Sequence, residues 1–165
     1  IWMNLLFKIE GSVLWLFKSN QWSMNNLYKE ARNRKVDPDR LIFAERLPMN
    51  KHLARHCLGD LALDTFNYNG GVTTSYALWN GLPVLTKIGQ SFYARVSASL
   101  LTSIGLPELV TYSESEYEEK ALYIANNPEE TVRLKSKLNK LKETSPLYNP
   151  KLFTQDLENI YIDLV

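Results

Sequence analysis

Between Asn69 and Ser75 the chain reads Asn-Gly-Gly-Val-Thr-Thr-Ser. Gly70 and Gly71 permit a tight turn and a close ligand approach, and the residues after them open a helix. Backbone N–H groups at a helix N-terminus carry partial positive charge and lack intrahelical acceptors, so such a turn can hold a phosphate. The hydroxyls of Thr73, Thr74 and Ser75 would add donors. The run matches neither the dinucleotide fingerprint nor a P-loop, and it equally describes a Gly-Gly turn capping a structural helix. A second group is His52 and Arg55. A spacing of three sets both on one helical face, where they could meet a diphosphate or, with Lys51, form a solvated basic face. His56 points elsewhere and does not pair with His52 as a metal site.

Three other residues invite chemistry less strongly. Arg95 follows Gly89–Ala94 in the first turn of an expected helix, where it holds either a loop or ligand or a salt bridge to Asp64. Asp60 and Asp64 share an expected strand, with alternate residues about 6–7 Å apart on one face, and do not read as an acid/base pair. Cys57 falls on the apolar side of its helix and reads as buried and inert. Trp15, Trp22 and Trp79 read as core or helix-packing residues.

The elements that position these residues follow from hydrophobic periodicity. Ile1–Ile9 carries Trp2, Leu5, Leu6 and Ile9 at helical spacing, and Ser12–Lys18 is a continuous apolar run suited to a strand buried on both faces. Gln21–Lys35 forms an amphipathic helix with Trp22, Leu27, Tyr28 and Ala31 inward, and Leu41–Glu45 a second strand. A helix opened by Pro48 and closed by Gly59, a strand over Asp60–Thr65 and a helix ending at Trp79 and Asn80-Gly81 follow. The spacing then predicts a strand over Pro83–Ile88, a helix over Ser91–Ile104 and a short strand over Leu106–Val110. Ser113 and Glu116 form a capping box. A helix from Pro128 and a last one over Lys151–Leu164, with Phe153, Leu157, Ile160 and Tyr161 inward, complete the chain. Alternating strands and helices imply βαβ crossovers, hence an α/β, doubly wound parallel sheet with helices on both faces. In such a sheet ligands lie beyond the carboxyl ends of the strands, where all three candidate groups fall.

Of 165 residues, 45% are hydrophobic and 22% charged, with 19 basic against 18 acidic side chains. The apolar content excludes intrinsic disorder, and the balance of charge gives no electrostatic case for nucleic acid or anionic lipid as a partner. One cysteine permits no intramolecular disulfide, and two histidines with one thiol make no finger-type zinc site. No apolar run approaches the roughly 20 residues of a membrane span, and no secretory signal is recognisable. The expectation is a cytoplasmic protein. The start at Ile1-Trp2-Met3-Asn4, on a helical stripe, suggests that residues 1–165 form a single unit cut from a longer polypeptide.

Taken together, Gly11–Lys18, Asp39–His56, Asp60–Thr86, Gly89–Val110, Glu116–Leu122 and Ser145–Tyr161 resemble, in order and over nearly the whole chain, the C-terminal part of the catalytic region of the O-linked N-acetylglucosamine transferase and SPINDLY family, glycosyltransferase family 41. The resemblance implies the second, Rossmann-like lobe of a two-lobed GT-B transferase, the lobe that binds the nucleotide-sugar donor. Members are typically inverting and metal-independent, need no further cofactor, and move a sugar to Ser or Thr of a protein acceptor, with tetratricopeptide repeats ahead of the catalytic region. The implied donor is UDP-N-acetylglucosamine, with GDP-fucose as the alternative from the SPINDLY branch. By the same resemblance Gly70, Gly71, Val72, Thr73 and Thr74 face the donor diphosphate, and His52 and Arg55 lie on its phosphate side as leaving-group stabilisers. Leu47 borders the base, and Arg95 precedes the donor-side helix.

The chain departs from the family pattern at Tyr76, where many members have Asp, at Met49, often Lys, and at Val72, often Thr. These departures leave open a non-catalytic nucleotide-binding or interaction module. The acceptor-side groups and the other lobe are expected outside this chain.

Overall fold

The computed structural model describes residues 1–164. Its strands are all parallel, as the alternation of elements implies, and the fold is α/β. Helix α1 (Trp2–Lys8) leads to β1 (Leu14–Phe17), α2 (Gln21–Asn33) and β2 (Leu41–Ala44). The register of β1 on β2 runs from Leu14 opposite Leu41 to Phe17 opposite Ala44. The short α3 (Met49–Ala54) passes into a 3-10 turn over Arg55–Leu58, and β3 (Ala62–Leu63) precedes α4 (Val72–Trp79). Then come β4 (Val84–Lys87), α5 (Val96–Ile104), β5 (Val110–Thr111), α6 (Glu114–Asn126), α7 (Pro128–Thr144) and α8 (Pro150–Asp163).

The five strands do not form one sheet. β1 and β2 make a two-stranded sheet, and β3, β4 and β5 a separate three-stranded one in that order. Two apolar clusters match the division. The larger gathers Leu78, Leu85, Leu101, Leu109, Tyr117 and Leu138 around β4, and the smaller joins Met3, Leu6, Ala31, Val36 and Leu41. Helix α1 belongs to both, since its Leu5 lies in the larger cluster and its Met3 and Leu6 in the smaller.

Local signals in the sequence place most boundaries. The Ser113 hydroxyl accepts from the Glu116 amide at 3.1 Å, and the Glu116 carboxylate reaches back to the Tyr112 amide at 2.7 Å, closing the N-terminus of α6 as a capping box does. Gly81 ends α4 at φ +78°, a conformation costly for any residue with a Cβ.

Several expectations need correction. The run at β1 is not buried on both faces, because Trp15 and Phe17 are exposed; the two-stranded sheet has a helical cover only on the side of Leu14 and Leu16. Trp22 is 78% exposed, in the first turn of α2, whereas α2 packs through its later residues, including Tyr28 edge-on to Phe43 at 5.3 Å. Cys57 is exposed, not buried. The change from α to 3-10 winding after Ala54 alters the angular step per residue and turns Cys57 and Leu58 outward. Helix α5 begins at Val96 and not Ser91, since Gly89 N–H binds Ala94 O at 2.8 Å and closes Gly89–Ala94 into a loop. On α8, Phe153, Ile160 and Tyr161 are exposed and Leu157 is half-buried, because the helix packs mainly against the 3-10 turn Pro146–Tyr148 that precedes it.

Helix α7 lies at the amino ends of the three-stranded sheet. Lys135 Nζ donates to Gly59 O at 2.7 Å ahead of β3, and Lys142 Nζ to Trp79 O at 3.3 Å ahead of β4. Lys137 pairs with Glu108 at 2.6 Å ahead of β5.

Candidate functional site

The loop from β3 to α4 is built around Asp64, a side chain 8% exposed immediately after β3. Its Oδ1 accepts from Gly70 N–H at 2.8 Å and its Oδ2 from the Thr86 hydroxyl on β4 at 2.6 Å. The buried Tyr117 hydroxyl donates to Asp64 O at 3.1 Å, and burial pushes that phenol far above its ordinary range. Asp64 makes no ion pair with Arg95; its two oxygens are taken by the turn and by β4. Asn69, 2% exposed, donates from its backbone to Tyr93 O at 3.0 Å and from Nδ2 to Thr65 O at 2.6 Å.

Gly70 is where the chain comes closest to itself. A Cβ there would stand 2.5 Å from Thr74 Oγ1, 2.6 Å from Thr73 Oγ1 and 3.3 Å from Thr74 N, while one on Gly71 would meet only Val96 Cγ1 at 3.8 Å. The first glycine is therefore sterically required, and the second leaves room. Ser97 on α5 donates its hydroxyl to Gly70 O at 2.8 Å, so its 2.9 Å contact with Thr74 Oγ1 has Thr74 as donor. Thr74 is buried and its hydroxyl is engaged, so what it can offer a ligand is its amide. The first intrahelical bond of α4 is Ser75 N–H to Gly71 O at 3.0 Å, and Gly71 supplies no side-chain cap. The amides of Val72, Thr73 and Thr74 precede that bond, on a turn where Val72 and Thr73 are exposed. These are the donors that a phosphate at a helix N-terminus uses.

Arg95 is exposed and forms the N-cap of α5, with Ser99 N–H on its carbonyl at 3.0 Å. The Ser97 bonds bring the starts of α4 and α5 side by side, so Arg95 belongs to the same end of the fold as the glycine turn. Around it Tyr68 and Tyr93 stack at 4.8 Å, with Phe92 edge-on to Tyr93 at 5.4 Å, and all three are exposed. Tyr76 is half-buried on α4, and its carbonyl accepts from the Asn80 side chain at 2.7 Å.

His52 and Arg55 meet as their spacing implies. One guanidinium nitrogen of Arg55 donates to His52 Nδ1 at 2.7 Å and another to Glu45 O at 2.9 Å, tying α3 to the end of β2. Since Nδ1 accepts, the His52 ring is neutral and carries its proton on Nε2. Burial, then the charges of Arg55 and His56, hold its pKa below the usual 6.5. His56 Nδ1 donates to His52 O and Leu53 O; among the described residues no group of three or more His, Cys, Asp or Glu is placed to hold a metal. Leu47 is exposed between β2 and α3, and Met49 is exposed at the start of α3. Among the described residues no hydrogen bond or ion pair joins the His52–Arg55 pair to the glycine turn; both stand at carboxyl ends of strands.

The protonation of His52 carries a testable sign. With the folded pKa below 6.5, the unfolded chain binds a proton more readily, so stability is full above pH 6.5 and drains as pH falls through the folded value. Urea unfolding at pH 7.5 and 5.5 should show a loss on acidification that is smaller in His52→Gln, whose amide oxygen can still accept from Arg55.

Residues 1–157 match the profile of Glycosyl transferase family 41. The chain belongs to this family. Within family 41 it is 29% identical over 160 residues to a UDP-N-acetylglucosamine–peptide N-acetylglucosaminyltransferase of Caenorhabditis elegans, covering 97% of this chain and 14% of that protein. A probable SEC transferase of Arabidopsis thaliana is 31% identical over 99% of this chain and 17% of its own length. A probable SPINDLY transferase of Solanum lycopersicum is 35% identical over 76% of this chain and 14% of its own length. Among solved structures, a mutant O-GlcNAc transferase of Thermobaculum terrenum superposes with a TM-score of 0.88 at 30% identity, over 97% of this chain and 31% of that one. The chain thus spans about one-sixth or less of the length of these curated relatives. No helix among the described residues is long and apolar enough to cross a membrane.

Asp64, Ser97, Thr86 and Tyr117, which hold the family 41 glycine turn in shape, carry no signal in the sequence that ties them to it. Their partners lie 6 to 53 residues away.

Proposed function

We propose that this chain is the donor-binding lobe of a family 41 protein O-glycosyltransferase, holding a nucleoside diphosphate sugar, UDP-N-acetylglucosamine in the first instance, for transfer to Ser or Thr of a protein acceptor. The observation that carries the reading is the turn at Gly70–Thr74, where three helix-start amides with no intrahelical acceptor face an exposed site beside Arg95. In an inverting transfer without a metal, the departing diphosphate gains negative charge, and fixed amides, a helix N-terminus and cations stabilise it. Val72, Thr73 and Thr74 supply amides, the exposed Thr73 adds its hydroxyl, and Arg95 supplies an exposed cation. His52 supplies a neutral Nε2–H donor, and Arg55 fixes its ring from behind. Leu47, exposed between β2 and α3, borders the base. The reaction's base and acceptor contacts belong to a second lobe, and upstream repeats recruit the protein acceptor in the cytoplasm.

A second reading, a nucleotide-binding module without transfer, is favoured by Tyr76 and Met49, which replace an acidic and a basic residue common in the family. Calorimetric titration with UDP, GDP, UDP-N-acetylglucosamine and GDP-fucose separates the donors. Saturable binding of a uridine ligand, lost in His52→Ala and Thr73→Ala, is the expected result; preference for guanosine assigns the SPINDLY-type donor instead. Absence of binding to a folded chain at millimolar ligand overturns the donor-lobe reading for this polypeptide.

A further inference from the structure

A carbonyl oxygen can accept two hydrogen bonds, and in α4 the one of Ser75 does so. It takes Trp79 N–H along the helix and, from the side, the hydroxyl of Tyr148 at 2.9 Å. Tyr148 lies far along the chain, in the 3-10 turn Pro146–Tyr148 between α7 and α8. That turn is fixed on both sides. Ser145 donates its hydroxyl to Ser103 O on α5 at 3.3 Å and accepts from Leu147 N–H at 3.2 Å, and the half-buried Tyr148 ring lies edge-on to Trp79 at 4.9 Å. Burial raises the phenol pKa, so the hydroxyl keeps its proton and remains a donor at neutral pH.

Where this hydroxyl attaches determines what it can influence. The Ser75 carbonyl shares its peptide unit with Tyr76 N–H, which by the α-helical pattern donates to Val72 O. The Val72 carbonyl shares its own peptide unit with Thr73 N–H. Thr73 is exposed at the glycine turn, and its amide is one of the three at the helix start that precede the first intrahelical bond. Tyr148 therefore heads a line of two hydrogen bonds and two peptide dipoles whose far end is a free amide of the turn. Bonds in such a line polarise one another, by about 10–30% each.

We propose that Tyr148 is a positioning residue of the glycine turn: by donating to Ser75 O it fixes the first turn of α4 and strengthens Thr73 N–H as a donor to a bound phosphate. The proposal rests on the reading of Gly70–Thr74 as a diphosphate site. It gives the C-terminal segment a part in anion binding from behind the helix, through backbone that no ligand meets. Helix α8 buries none of its described residues fully and packs mainly against the Pro146–Tyr148 turn. Through Tyr148 it is joined to the phosphate end of α4.

Tyr148→Phe tests this, because it keeps the ring against Trp79 and removes only the hydroxyl. Tyr123→Phe, at an exposed ring on α6, is the control. Two quantities are read on each variant and on the parent: the amide proton resonances of the ligand-free 165-residue chain, and the affinity for UDP by calorimetric titration. In Tyr148→Phe the Tyr76 and Thr73 amide protons should move upfield as their bonds weaken, and UDP should bind about 2- to 10-fold more weakly. Tm should fall by no more than about 4 °C, so the chain stays folded at the titration temperature. A hydroxyl that serves only its own burial would lower Tm and leave both readouts at the parent values. In a parent that binds UDP, constancy of either readout overturns the proposal, and so does an equal effect of Tyr123→Phe. A parent that does not bind UDP at millimolar concentration defeats the donor-lobe reading instead; the Thr73 resonance then decides alone, its movement upholding the positioning role and its constancy overturning it.

Discussion

Gly70→Ala should lower Tm by roughly 2–12 °C and remove nucleotide binding, while Gly71→Ala leaves stability within about 0.5 kcal/mol of the parent. The two glycines are neighbours in a half-buried turn and look interchangeable, yet only the first has no room for a methyl group. Its Cβ would press on two threonine hydroxyls at 2.5 and 2.6 Å and on a backbone nitrogen at 3.3 Å. Thr74 cannot swing aside, because its hydroxyl is held by Ser97 and its side chain is buried. The strain must move backbone, at about 1–3 kcal/mol for an overpacked site, and the backbone that moves carries the amides of Thr73 and Thr74. Thermal melts and calorimetric titration of the two variants in parallel check both halves. Equal behaviour would mean that the turn is more pliant than its contacts imply.

The larger effect belongs to Asp64. Asp64→Ala leaves the Gly70 amide and the Thr86 hydroxyl without acceptors in a buried site, at about 1–3 kcal/mol for each orphaned group, so a loss of about 2–6 kcal/mol in urea unfolding is expected. Asp64→Asn keeps an acceptor for Gly70 N–H and should recover much of that loss, because the Thr86 hydroxyl can accept from the new amide. The pair of variants distinguishes shape from charge. If Asp64 acts only by holding the turn, nucleotide affinity follows stability in both; if its charge opposes the donor phosphates, Asp64→Asn binds more tightly than the parent.

Much of the fold is legible locally, and what is not legible depends on partners distant in sequence. The capping box at Ser113 and Glu116, the stop at Gly81 and the start at Pro128 are decided within a few residues, and the structure keeps them. The Gly70–Thr74 turn and the His52–Arg55 contact are also short-range, a glycine pair before a helix and a spacing of three. Asp64 is different. The sequence places it on an expected strand and leaves open a bridge to Arg95, but which neighbours claim its oxygens is settled by the pairing of β3 with β4 and by the fold of a loop six residues on. Cys57 defeats helical periodicity because the winding changes three residues before it. Trp15 and Phe17 look like core because an apolar run does not say whether a sheet around it is complete.

The lysine contacts of α7 fall at the opposite end of the three-stranded sheet from the glycine turn and Arg95. What braces β3, β4 and β5 at their amino ends shares no residue with what a ligand would touch at their carboxyl ends. Mutations at one end therefore draw little on the other, and the loops around Tyr68 and Phe92 are free to diverge among descendants without loss of the scaffold. In a lineage under pressure to accept a different ligand, this separation lets selectivity drift first and stability follow its own course.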